Sequence, residues 1–96
     1  MFARVTEYRM KPDSIEAAEA LLNKLKSRIM SMKGMHQFIN VMGEDGRGYV
    51  VALVESKETS DANLETVRAI WGEFADMLAE PPKPAGFHVL MNETRA

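Results

Sequence analysis

Residues 34–56, GMHQFINVMGEDGRGYVVALVES, carry the reading that decides the fold. Two runs in it, MHQFINVM (35–42) and YVVALVES (49–56), contain β-branched and aromatic residues, side chains that suit a pleated, half-buried surface. Between them lies GEDGRG, whose Asp-Gly pair favours a tight hairpin turn because both central positions can take positive φ. The stretch therefore predicts two antiparallel strands. Lys33 and Gly34 stand just ahead of the first. Together they form a helix stop signal, since glycine tolerates the left-handed conformation that ends many helices.

Upstream, the segment PDSIEAAEALLNKLKSRIMSMKG places Ile15, Ala18, Leu22, Leu25, Ile29 and Met32 at steps of three and four. That spacing predicts a helix with one apolar stripe. Asp13 and Glu16 have capping-box spacing, with Asp in place of Ser or Thr. Glu16, Glu19, Lys24, Lys26 and Arg28 fall mainly off the stripe and read as a solvated face. Before this helix, FARVTEYRMK (2–11) runs into Pro12 and predicts a strand. Downstream, from about Asp61, Leu64, Val67, Trp71, Phe74 and Leu78 recur at helical spacing. Gly72 weakens that second helix by about 1 kcal/mol against alanine. The run PPKP at 81–84 is expected to end it, because proline lacks the N–H donor and clashes with the preceding turn. GFHVLMNET (86–94) then predicts the fourth strand, with Phe87, Val89 and Met91 on one face.

The order is β-α-β-β-α-β over a single domain, residues 1–96. It predicts an α+β, ferredoxin-like fold: one four-stranded antiparallel sheet with two helices on one face. Ala3, Val5, Ile39, Val41, Val50, Ala52, Val54, Phe87, Val89 and Met91 are the expected helix-facing set, being small or β-branched in most cases. The opposite face is expected to carry Phe2, Arg4, Thr6, Tyr8 and Met10 from strand one and His36, Phe38, Asn40 and Met42 from strand two. Tyr49, Val51 and Leu53 follow from strand three, and His88, Leu90 and Asn92 from strand four. That second face is too apolar to be left in water. A second copy packed sheet to sheet about a two-fold axis is the simplest cover, so a homodimer is expected.

Composition narrows the function. The 12 basic and 14 acidic residues give a net charge of −2, and neither sign forms the long run or stripe that nucleic-acid binding calls for. There is no cysteine, which removes disulfides, thiolate metal sites and a cysteine nucleophile. MFARVTEYRM lacks the apolar core of a signal peptide, and no segment approaches the ~20 apolar residues of a membrane span. A cytoplasmic globular protein is the expectation.

The chain at this point resembles the dimeric α+β barrel superfamily and, within it, the antibiotic-biosynthesis-monooxygenase-like domains. The resemblance rests on YRMKPDSIEAAEALL, KGMHQFINVM, GEDGRGYVVALVES, a tryptophan-bearing second helix and the closing GFHVLM, and it covers nearly the whole chain. It implies a barrel formed by the two sheets of a dimer, each subunit holding a cavity between sheet and helices. It also implies a cofactor-independent monooxygenase acting on an aromatic or quinol-like molecule. The alternative is a non-catalytic small-ligand-binding or interaction module. Haem-degrading relatives combine a strand-one asparagine with a tryptophan and a helix-two histidine. Here strand one has no asparagine and no histidine lies between residues 57 and 80.

Among individual residues, His36 and His88 are the only histidines and could act as base, acid or ligand. Two histidines alone make a poor metal site, so no metal is expected, and the resemblance implies that no cofactor is needed. His36 also lies within two residues of a helix end, where it could simply satisfy a backbone carbonyl. Tyr8 is a candidate for a phenolic or quinoid ligand, or an interface tyrosine. Arg4 could hold an anionic substrate or pair with a carboxylate. Phe38, Asn40, Trp71, Phe74 and Asn92 complete the expected ligand-binding set, with Trp71 also readable as plain core. In the implied mechanism the substrate loses a proton and reacts with oxygen, His36 or His88 serves as base, and Tyr8 and Asn40 orient the anion.

Overall fold

The computed structural model describes residues 1–95. Strand β1 (Phe2–Met10) leads through a 3-10 turn at Pro12–Ser14 into helix α1 (Ile15–Met30). Strands β2 (Met35–Met42) and β3 (Arg47–Val54) form the hairpin, and helices α2 (Lys57–Ala62) and α3 (Leu64–Glu73) follow. A 3-10 turn at Ala75–Met77 then feeds strand β4 (Leu78–His88). The sheet order is β2-β3-β1-β4 with every pairing antiparallel, the ferredoxin-like arrangement.

Helix α1 ends at Met30 with Ser31 as its cap, earlier than the expected stop. Gly34, at φ +74°, serves instead the turn in which Met35 N donates to Met32 O at 3.2 Å and the chain enters β2. The turn between β2 and β3 differs from expectation. Gly46 alone takes positive φ, at +87°, and Asp45 does not. Gly46 N donates to Gly43 O at 3.0 Å and Gly43 N to Arg47 O at 2.8 Å. This is a longer loop closed by a left-handed glycine rather than a two-residue turn. A side chain on Gly46 would strike the Met10 carbonyl. The Asp13–Glu16 capping box does not form. Pro12 starts a 3-10 turn that contains Asp13, so Ser14 becomes the residue preceding α1, without a side-chain cap.

The second helix is two helices that meet at Asn63. The fourth strand begins eight residues earlier than expected and contains Pro81, Pro82 and Pro84. Proline cannot donate to a ladder, but β4 pairs only with β1 and lies at the sheet edge, where that loss is tolerated. Val89, Leu90, Met91 and Asn92 fall beyond the strand.

The main correction concerns which face of the sheet meets the helices. Tyr8, Met10 and Val50 join Ala18, Leu25, Ile29, Ile70 and Phe74 in the buried core. Arg4, Thr6, Phe38, Asn40, Ala52 and Val54 line the cavity beneath the helices. Alternation then sends Ala3, Val5, Ile39, Val41, Tyr49, Val51, Leu53 and Phe87 to the other side. The pairs Ala3–Leu53, Ala3–Phe87, Val5–Val51, Ile39–Val51 and Val41–Tyr49 agree, because directly opposite residues share a face. Strand three was assigned correctly; strands one and two and Phe87 were inverted. Small and β-branched residues do mark one face, but it is the outer one. The face under the helices carries larger and more polar side chains because it lines a cavity.

Candidate functional site

The cavity lies between the inner sheet face and α1, α2 and α3, with a volume of about 70 Å³. That is space for roughly five water-sized positions. Its walls are apolar and aromatic: Phe38, Val50, Ile70, Trp71 and Phe74 among them. The Trp71 ring centroid lies 5.5 Å from that of Tyr8 and 6.1 Å from that of Phe74, distances typical of favourable tilted aromatic pairs.

Polar groups enter at two places along β1. At one, Tyr8 is 2% exposed and its hydroxyl donates to Asn40 Oδ1 at 2.6 Å. The Val41 carbonyl lies 3.3 Å from the same hydroxyl. Gly48 lies under this pair: a Cβ there would stand 2.5 Å from the Tyr8 hydroxyl and 2.5 Å from the Val41 carbonyl oxygen. Burial pushes the Tyr8 phenol above its ordinary range, and the bond to Asn40 offsets part of that rise. Tyr8 is therefore protonated at neutral pH. Its proton occupies the Asn40 carbonyl, which fixes the amide and leaves the Asn40 NH₂ group as the donor for a third party.

At the other place, Arg4 has a side chain 16% exposed. Its Nε donates to Ser60 Oγ at 3.0 Å, and Nη2 lies 3.6 Å from Asp61 Oδ1. Ser60 and Asn63 line the cavity beside it. Asn63 sits at the α2–α3 junction and donates to Lys33 O at 2.9 Å, tying that junction to the end of α1.

A second, more open cleft of about 500 Å³ lies beside α1 and shares Tyr8, Met10, Leu22, Asn40 and Phe74 with the inner cavity. A ligand too large for the inner cavity would reach into it past Tyr8 and Asn40.

The expected site residues separate into two groups. Arg4, Tyr8, Phe38, Asn40, Trp71 and Phe74 come together on the cavity. His36, His88 and Asn92 do not line it and are exposed. His36 is the extra residue of a bulge, since pairing passes from Met35–Val54 to Gln37–Leu53. A bulge breaks strict alternation, so Met35 and Phe38 both face inward and His36 stands out. His88 ends β4 and packs edge-on against Phe2, ring centroids 5.7 Å apart. Asn92 Nδ2 lies 3.7 Å from Met1 Sδ. Ser60 and Asn63, in SDANLETV (60–67), are not among the expected site residues, because a lone serine and a lone amide carry no spacing signal in the sequence. Among the described residues no group of three or more His, Asp or Glu is placed to hold a metal ion, and no helix is long and apolar enough to cross a membrane.

Solved structures share this architecture. A protein from Nitrosomonas europaea provisionally designated an antibiotic biosynthesis monooxygenase matches with a TM-score of 0.79 and 21% identity, over 95% of this chain and 100% of its own. One from Caulobacter crescentus with the same provisional designation matches at 0.79 and 14%, over 94% and 90%. NE2512 from Nitrosomonas europaea, a protein of unknown function, matches at 0.82 and 16%, over 99% and 94%. No family model matches the sequence, and no curated protein matches it. The chain thus shares the fold of these antibiotic-biosynthesis-monooxygenase-like structures.

Proposed function

We propose that this chain is one subunit of a homodimeric α+β barrel that binds a small aromatic or quinol-like molecule and oxidises it with molecular oxygen, without a metal or tightly bound cofactor. The observation that carries this reading is the Tyr8–Asn40 hydrogen bond at the edge of an aromatic cavity. A substrate with a CH₂ conjugated to a carbonyl through aromatic rings, as in anthrone, would lose a proton to solvent to give an enolate. The Asn40 amide, held by Tyr8, would donate to the enolate oxygen. Oxygen then takes the substrate's electrons: the CH₂ becomes C=O, and the second oxygen atom leaves with the two hydrogens as water. Tyr8 acts here as a positioning residue and not as a base.

Dimerisation is supported by the outer sheet face, where Ile39, Val41, Tyr49 and Phe87 are all exposed. Aliphatic and aromatic side chains contiguous on a flat sheet are a natural sheet-to-sheet interface.

A second reading, binding without turnover, is favoured by one observation. The ionisable side chains among the described cavity residues are Arg4 and Tyr8, and neither is a base at neutral pH. Oxygen uptake with anthrone separates the two readings. Uptake that Asn40→Ala reduces at least tenfold supports the oxygenase. Anthrone binding without uptake supports the binding module.

A further inference from the structure

We propose that Arg4 is a recognition site for a carboxylate, so that the natural ligand is an aromatic acid whose carboxylate and hydroxyl or keto oxygen lie at opposite ends. This rests on the cavity reading above and deepens it. Arg4 is the cationic side chain on an otherwise neutral cavity wall. A guanidinium presents a planar fork of N–H donors matched to a carboxylate. Among the described residues only its Nε has a hydrogen-bond acceptor, Ser60 Oγ. Asp61 stands 3.6 Å from Nη2, is half exposed, and is shared with Lys57 Nζ at 3.8 Å. The two terminal nitrogens thus keep donors to give, at the rim of a site that is largely withdrawn from water. Asp61 meets this cation on one side only and is itself shared with Lys57, so the guanidinium is incompletely neutralised on its cavity side.

Position supplies the rest. Arg4 and Tyr8 point to the same face and are four residues apart, about 13 Å along an extended strand. Arg4 is drawn toward Ser60 on α2, and Tyr8 toward Asn40 on β2. Between them the buried Thr6 lies on β1, and the rest of the wall is aromatic and aliphatic. The site therefore has a cationic pole and a neutral amide pole separated by a mostly apolar span, which a ring system substituted at both ends would bridge. A neighbouring acid and hydroxyl on one ring edge would reach only one pole.

Calorimetric titration of the intact protein with 6-hydroxy-2-naphthoate, 1-hydroxy-2-naphthoate and 2-naphthol tests this. The first carries its acid and hydroxyl at opposite ends, the second side by side, and the third has no acid. The 2,6-isomer is expected to bind about 10-fold or more tighter than 2-naphthol, and tighter than the 1,2-isomer. Arg4→Gln should remove most of that preference. Asp61→Asn, at an exposed position that does not threaten folding, should raise acid affinity by leaving the guanidinium less neutralised. The proposal is overturned if 2-naphthol binds as well as the 2,6-acid, if Asp61→Asn leaves acid affinity unchanged or lowers it, or if Arg4→Gln weakens acid and naphthol equally. Binding of 2-naphthol without acid preference spares the cavity reading; failure of all three compounds to bind removes both.

Discussion

The two faces of the sheet contrast in chemistry although the same strands build them. The inner face carries Arg4, Thr6, Tyr8, Phe38 and Asn40, a mixture that would be poor core packing if the space above it were filled. The outer face carries Ala3, Val5, Ile39, Val41, Val51, Leu53 and Phe87, of which Ala3 and Leu53 are buried while Ile39, Val41 and Phe87 stand exposed within one chain. The polar handles of the cavity lie under the helices, and an exposed apolar set lies on the other side. A cavity explains the first, because a ligand needs fixed polar handles among apolar walls. The proposed partner copy would cover the second.

The largest expected effect comes from breaking the outer face. Val41 is 53% exposed there, and Val41→Glu would bury a charge in any sheet-to-sheet contact, at a cost of several kcal/mol. Light scattering should give twice the chain mass for the wild type and one chain mass for the variant, with the helical far-UV signal retained. A wild-type chain that is already monomeric at micromolar concentration would end the comparison.

Next is the junction between the faces at Gly48. An added methyl would press on the Tyr8 hydroxyl and the Val41 carbonyl oxygen. Gly48→Ala should destabilise by about 1–3 kcal/mol through overpacking, read as a lower urea midpoint with the slope unchanged. Asn40-dependent binding should weaken as well, because Tyr8 can no longer hold the amide.

Tyr8→Phe should cost about 1–2 kcal/mol, since the Asn40 carbonyl loses its donor. Its pH signature sharpens the assignment. The folded-state pKa of Tyr8 is raised, so its contribution to stability is fully present below the unfolded value near 10. That contribution is lost as pH rises from there through the folded value. Wild-type stability should fall more steeply above about pH 10 than that of Tyr8→Phe.

The smallest effect belongs to a position on neither face. A Cβ on Gly72 meets nothing within 4 Å, and Gly72→Ala should stabilise the chain by about 0.5–1 kcal/mol in thermal melts. It serves as the control for the other three.

Much of the fold is legible in short-range pattern. The stripe that begins at Ile15 and the left-handed Gly34 reflect constraints that act within a few residues; α1 forms on that stripe and ends at Met30, a few residues before Gly34. The proline-rich strand was illegible because proline reads as a breaker unless the strand is known to lie at an edge, and edge position is a property of the whole sheet. Of the site, Tyr8, Asn40, Arg4, Phe38, Trp71 and Phe74 were accessible as polar or aromatic residues on predicted elements. Ser60 and Asn63 were not, since they point into the cavity only because the chain bends between α2 and α3.

By itself the sequence determined the order of elements, the left-handed turn at Gly34 and the alternation along each strand, because these follow from local backbone preference and side-chain periodicity. Alternation has no sign: it says which residues share a face and not which face lies beneath the helices. Only the tertiary structure decided that. The bulge at His36 removed one histidine from the cavity face, and the long edge strand left His88 at its end. The sign came out opposite to what size and branching suggested, since helices that roof a cavity need not cover the most apolar face.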